Sequence, residues 1–218
     1  MFYKIAKRLL DIIVSIIAII IFSPVYLIIS LLIVFDGCKG PILTEINDRV
    51  GLDGKIFRMY KFRSMILRAH DWDYYLKIHP DWQKYYEEWK KVGKLPADVD
   101  PRITKVGKLI RKTDLDEIPQ FFNVLLGNMS VVGPRAPYKK ELEGYIKKYP
   151  EIKRYIKATY SVKPGITGIW QTSGRNSITI PDRFRMEAGY AKRKNIFEDI
   201  KIIIKTPLVM IFRKGVIE

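Results

Sequence analysis

The chain has 218 residues, enough for one domain together with a membrane segment. Lys and Arg number 39 against 23 Asp and Glu, a formal net charge of +16, which implies an anionic partner: nucleic acid, an acidic lipid surface or phosphate-bearing substrates. One cysteine, Cys38, rules out an intramolecular disulfide and suits a reducing compartment. His70 and His79, with no Cys/His cluster, match no metal-site spacing.

Lys4, Lys7 and Arg8 precede a nearly unbroken apolar run from Ile12 to Phe35. The run is longer than the core of a secretory signal and no small-residue cleavage site follows it. It is long enough to cross ~30 Å of hydrocarbon. Ser23-Pro24 falls in its middle, where proline removes a backbone donor and kinks a helix. A single crossing would put either the N-terminal cations or the basic chain beyond Phe35 on the wrong side of the membrane. A helix that enters, breaks at Ser23-Pro24 and returns keeps both in the cytoplasm, and the Ser23 hydroxyl can meet backbone groups freed by the proline. Residues 1–35 therefore read as a re-entrant helix-break-helix in preference to a plain transmembrane helix. Asp11, at the rim, is within reach of Lys7 or Arg8.

Residues 36–218 read as one cytoplasmic-face domain, α+β but mostly helical with short strands. Residues 36–54, with four glycines and four acidic residues, predict turns. Lys55 to Phe62 alternates apolar and basic, as a strand does. Residues 64–100 form an insert that is helical from Ser64 to about Val92 and rich in Trp and Tyr. Those aromatics pack a core, line the lipid headgroups or make a homodimer contact. A loop covers Lys94 to Pro101, a basic helix Thr104 to Arg111, and a second helix Thr113 to Leu126. A short strand is predicted at Met129–Val132 and a helix from Pro137 to Lys157, broken at Pro150. Residues 163–177, rich in Gly, Ser and Thr, predict a functional loop, and Asp182 to Lys194 a helix. In residues 196–214, Phe197, Ile200, Ile203, Ile204 and Leu208 share a face while Lys201, Lys205, Arg213 and Lys214 reach outward. That pattern suits an interfacial amphipathic helix or one packed on the core.

The densest chemistry lies in Arg111-Lys112-Thr113-Asp114-Leu115-Asp116-Glu117, three carboxylates directly after two cations. By spacing alone this is a helix cap, with Thr113 or Asp114 as N-cap and acidic residues in the first turn.

The wider pattern resembles a family. Tyr60-Lys61-Phe62-Arg63-Ser64-Met65 lies upstream. Gly127-Asn128-Met129-Ser130-Val131-Val132-Gly133-Pro134-Arg135, Val162-Lys163-Pro164-Gly165-Ile166-Thr167-Gly168 and Trp170-Gln171-Thr172-Ser173-Gly174-Arg175-Asn176 follow. Five motifs in this order, behind a proline-interrupted membrane segment, resemble the bacterial sugar transferases, the monotopic phosphoglycosyl transferases, over essentially the whole chain. The resemblance implies transfer of a sugar-1-phosphate from a UDP-sugar to polyprenyl phosphate, with UMP released and surface glycan synthesis begun, at the cytoplasmic face of a bacterial inner membrane. It implies Asp116 as nucleophile, Glu117 as its partner and Mg²⁺ beside them with Asp116 as a ligand. Arg111 is then a phosphate ligand, and Arg135 and Arg175 help hold the nucleotide sugar. Lys61 and Arg63 either bind phosphate or steady the acidic cluster. Ala136 stands where the family has the second proline of Pro-Arg-Pro, which leaves the local backbone open. The long insert and Trp170-Gln171 resemble the hexose branch, which uses UDP-galactose or UDP-glucose. Two other readings fit the charge: a membrane-tethered nucleic-acid binder, for which no motif exists and which the family reading excludes as partner, and a non-catalytic assembly scaffold, against which the intact carboxylate pair argues.

Overall fold

The computed structural model describes residues 2–38, 40–93 and 95–212. In chain order the elements are α1 (Phe2–Phe35), β1 (Leu43–Val50), β2 (Ile56–Phe62), α2 (Trp72–Ile78), α3 (Gln83–Val92), α4 (Lys105–Lys112), α5 (Gln120–Leu125), β3 (Ser130–Val132), α6 (Lys139–Lys148), α7 (Lys153–Thr159), β4 (Gly165–Thr167), α8 (Ile169–Ser173), α9 (Ile180–Arg193) and α10 (Ile196–Ile211). Short 3-10 turns at Leu52–Gly54, Pro80–Trp82, Leu115–Glu117, Pro150–Ile152 and Arg175–Ser177 join some of them. The fold is thus mostly helical, with β1 paired to β2 and β3 to β4.

Several boundaries differ from the sequence reading. Residues 43–50, expected as turns, form β1, because pairing with β2 overrides the local glycine and acidic composition. The insert helix, expected from Ser64, begins only at Trp72, where Asp71 caps it, and breaks at Pro80, whose missing N–H suits the first position of a new turn. The Gly-rich stretch from residue 163 carries β4, α8 and a 3-10 turn. The helical backbone of α1 continues through Pro24, so Ser23-Pro24 is a proline within a helix and not a gap between two helices. The loss of one backbone bond does not end a helix whose neighbouring turns remain bonded. Arg213 and Lys214 lie outside the described residues.

The chain divides into two compact units, and the division crosses α1 itself. The first unit holds the chain up to Ile21, Glu45–Tyr60 and everything from Gln120. Its centre is Met59, Val124, Met129, Val131, Val132, Tyr190 and Ile202, with a second cluster of Val50, Leu142, Ile152, Tyr160 and Phe184. β3 and β4 run parallel, with Ser130 opposite Gly165 and Val132 opposite Thr167. Their backbones approach so closely that a Cβ on Gly165 would sit 2.1 Å from Gly133 N, and one on Gly133 2.3 Å from Lys163 O.

The first half of α1 is bound into this unit by polar groups. Buried Asp11 accepts from Lys7 Nζ at 3.1 Å, Ser130 Oγ at 2.9 Å and Val131 N at 3.0 Å. Asp199 of α10 accepts from Tyr3 at 3.0 Å and Tyr190 at 2.6 Å. The Arg8 guanidinium donates to the Val124 and Leu125 carbonyls at the end of α5, where a cation also suits the helix dipole. Asn123 is buried and serves β2 like a strand neighbour, accepting from Tyr60 N and donating to Arg58 O. On α10, Asp199, Ile202 and Val209 face inward while Phe197, Ile200, Ile204 and Leu208 are exposed. Ile203, expected on one face with those four, packs against the core.

The second unit holds Phe22–Thr44 and Lys61–Pro119. Ile29 and Ile33 of α1 pack with Phe62 and Ile110. In the insert, Arg102 forms a buried two-pronged pair with Asp100, Nε to Oδ1 at 2.9 Å and Nη2 to Oδ2 at 2.7 Å. Its guanidinium lies 4.1 Å from the Trp72 ring, which neighbours Tyr86 and Trp89. These aromatics pack internally. Tyr75, His79 and Trp82 make a separate half-buried stack.

Two glycines test this packing in opposite directions. Gly165→Ala should lower stability by ~3 kcal/mol, because the new methyl meets backbone. Gly144, exposed on α6 with open space around it, should gain roughly 0.5–1 kcal/mol as Ala from helix propensity. Thermal denaturation of both variants in detergent checks the contrast.

Candidate active site

The second unit assembles Lys61, Arg111, Asp116 and Glu117 from three neighbouring pieces of chain. β2 ends with Phe62 buried in the core, which turns Lys61 the other way by strand alternation. Arg63, next after the strand, is buried and donates to the Ile33 carbonyl at 3.2 Å near the end of α1. Ser64 then meets α4. A Cβ on Gly107 would lie 1.9 Å from Ser64 O, so only glycine lets the helix come this near. One turn later, on the same face of α4, Arg111 Nε donates to Ser64 Oγ at 2.8 Å.

The carboxylates do not cap a helix. Thr113 closes α4, its hydroxyl donating to the Leu109 and Ile110 carbonyls. Asp114 adopts a left-handed backbone (φ 56°) without a side-chain cap bond, a conformation Asp tolerates better than most residues. The expected helix from Thr113 is therefore a 3-10 turn at Leu115–Glu117, and α5 begins only at Gln120. The reversal at Asp114 buries Leu115 against the core and sets Asp116 and Glu117 beside Lys61. Tyr26 fixes the far side of the turn, its hydroxyl donating to Ile118 O at 2.8 Å.

Lys61 Nζ bridges the pair, 3.2 Å from Asp116 Oδ2 and 2.5 Å from Glu117 Oε1. Asp116 is 8% exposed, whereas the Glu117 side chain is about a third exposed. Burial pushes the Asp116 carboxyl above the usual carboxylate range. The Lys61 charge opposes the shift, Glu117 adds to it, and Arg111 opposes it to a smaller extent. Asp116 Oδ1 accepts no hydrogen bond among the described residues, so one oxygen of a buried acid remains chemically available.

Arg135 and Arg175 belong to the first unit. Arg135 N donates to Glu187 Oε1 at 2.9 Å, and its guanidinium stands 5.6 Å from the Trp170 ring centre. Ala136 is buried and its carbonyl accepts from Arg49 Nη1 at 2.7 Å, so the segment is tied down without the second proline. Arg175 is in the left-handed region (φ 47°) at the start of its 3-10 turn. Sequence reasoning missed Ser64, Gly107 and Glu187. Ser64 was inside a quoted motif, but only the close approach of Gly107 reveals its partner. Glu187 carries no local signal beyond an i,i+4 spacing to Arg183.

No group of three or more His, Cys, Asp or Glu side chains gathers into a metal-binding cluster among the described residues. The carboxylate pair still suits Mg²⁺, a hard cation commonly held by one or two carboxylates with substrate phosphates completing the shell.

The profile of the bacterial sugar transferase family matches residues 2–213. The undecaprenyl-phosphate galactose phosphotransferase of Salmonella typhimurium is 42% identical over 96% of this chain and 41% of its own length. The UDP-glucose:undecaprenyl-phosphate glucose-1-phosphate transferase of Klebsiella pneumoniae is 36% identical over 92% of this chain and 39% of its own. The exopolysaccharide production protein ExoY of Rhizobium meliloti is 37% identical over 95% of this chain and 87% of its own. The chain thus spans about two fifths of the galactose and glucose relatives and most of ExoY. With the profile running nearly end to end, the chain belongs to the bacterial sugar transferase family.

Proposed function

We propose that this chain transfers a hexose-1-phosphate from UDP-galactose or UDP-glucose to polyprenyl phosphate, by way of a phosphosugar carried on Asp116. The observation that carries the reading is the buried Asp116 carboxyl, bridged to Glu117 by Lys61, with one oxygen accepting no hydrogen bond among the described residues. Family membership and the named activities of the galactose and glucose relatives support the substrates.

In the first half-reaction an Asp116 oxygen attacks the sugar-bearing phosphorus. The bond from that phosphorus to the bridging oxygen breaks, and UMP departs with the bridging oxygen. In the second half-reaction a polyprenyl phosphate oxygen attacks the same phosphorus and the Asp116 carboxylate is released. The Lys61 ammonium favours the charged form of Asp116, which the attack requires. Arg111, oriented by Ser64, offers a planar donor set to phosphate oxygens. Asp116, with Glu117 adjacent, would hold Mg²⁺, which when bound supplies positive charge against the diphosphate. Arg135, in the family's Pro-Arg-Pro position, is read as a further phosphate ligand.

An acceptor in lipid and a donor in water require a site at the membrane surface. α1 is apolar enough to enter a bilayer and, at 34 residues, extends ~51 Å, well beyond the hydrocarbon thickness. Its first half is hydrogen-bonded within one unit and its second half within the other. Contacts to the globular chain at both ends, with Pro24 as the point where the helix can bend, favour a helix that enters and leaves by the cytoplasmic face. The exposed Phe197, Ile200, Ile204 and Leu208 of α10, with Lys201 and Lys205 beside them, suit the headgroup boundary.

Exchange of labelled UMP into UDP-sugar tests the two-step route. It should proceed without polyprenyl phosphate, stop on chelation of Mg²⁺ and vanish in Asp116→Asn; exchange only in the presence of the lipid acceptor would point to direct transfer. The same variant should melt no lower than wild type. A carboxyl whose folded pKa is raised loses stability as pH climbs through that pKa, so the advantage of Asn should appear at neutral pH and fade in acid.

The acid limb of kcat/KM should lie above the usual carboxylate range, because Asp116 must be ionised to attack. Lys61→Met removes the charge that lowers its pKa and should move that limb to higher pH. An unmoved limb would mean that another group titrates.

For topology, native Cys38 and a cysteine at position 2 in a Cys38→Ser background should both resist an impermeant thiol reagent applied to spheroplasts. Labelling of position 2 alone would establish a full crossing.

A further inference from the structure

We propose that Glu187, deep in α9, is a positioning residue that fixes Arg135 for a nucleotide phosphate; the proposal rests on the reading of Arg135 as a phosphate ligand given above. Glu187 Oε1 accepts from the Arg135 N–H at 2.9 Å and from Arg183 Nε at 3.3 Å. Both acidic and basic side chains of the pair are almost wholly buried. The segment leading to Arg135 is held on its other side by backbone, with Gly133 N donating to Thr167 O and Gly165 N to Pro134 O, each at 2.9 Å. The absence of a side chain at Gly133 permits that approach. Arg135 therefore leaves the main chain from a point bonded on two sides. Its guanidinium has neither a hydrogen bond nor an ion pair among the described residues, while Arg183 lies 4.9 Å from the centre of the same Trp170 ring.

A buried ion pair contributes little net stability, since desolvation offsets its attraction and apolar residues of similar volume often serve as well. A purely structural pair would end at Arg183. This one extends to a loop N–H whose own side chain is poised for an anion, and Glu187 is the group that joins them.

The test separates the acceptor oxygen from the ion pair. In an Arg183→Met background, Glu187→Gln keeps an oxygen for Arg135 N, whereas Glu187→Leu removes it, and neither leaves a charge buried alone. With UDP as probe, titrated against the full chain in detergent, the Met/Gln protein should keep Kd within about threefold of wild type. The Met/Leu protein should bind about tenfold more weakly, the scale of one lost buried hydrogen bond. Thermal denaturation of the two should agree closely, so that affinity and stability part company. Equal Kd values would overturn the proposal. Should Met/Leu prove too unstable to titrate, a tenfold loss in Met/Gln, which retains the acceptor, would overturn it as well. Arg135→Ala decides the underlying reading separately: wild-type UDP affinity there removes Arg135 from the binding site, whatever the Glu187 variants do.

Discussion

Lys61 holds together two carboxylates that would repel each other if left alone in a half-dry turn. That one ammonium group explains much of the second unit. It must arrive from a strand end, because alternation in β2 buries Phe62 and presents Lys61. The turn it meets must be tight, which the left-handed Asp114 provides. The helix before that turn must lie against Ser64, which Gly107 permits. Removing any of these would leave the acids without their counter-charge or Arg111 without its hydroxyl partner.

The balance at Asp116 is finely set. Burial favours the neutral acid and Lys61 favours the anion, so the site carries a group whose charged form is costly but accessible. Glu117, more exposed, shares Lys61 without the same desolvation. Adjacent residues of nearly identical chemistry are thus made unequal by position alone.

Much of this was legible in the sequence. The strand ending at Phe62, the short β3, the helix capped by Thr104 and the break at Pro150 followed from alternation, capping and proline chemistry. The carboxylate motif was visible, but its geometry was not, since Thr113-Asp114 is also a good capping sequence. Only packing of Leu115 and the bridge from Lys61 decide against that helix. β1 was hidden because its residues suit turns until β2 pairs with them. Arg63 could not be assigned from sequence, because the carbonyl it meets lies thirty residues upstream. Glu187 was invisible for a related reason: its importance lies in a contact with a loop fifty-two residues earlier.

The polar stripe on α1 also bears on how the protein is made. Asp11 leaves the ribosome well before Ser130 and Val131, which satisfy it and come more than a hundred residues later. Asp199, which completes the cluster around Lys7, follows near the end of the chain. At ~5–20 residues per second the wait for Asp199 is on the order of ten to forty seconds. During that interval the apolar segment carries a carboxylate whose companion is Lys7, one turn away on the same helix. The first half of α1 therefore reaches its final seat only after α10 has been made and Asp199 can close the cluster.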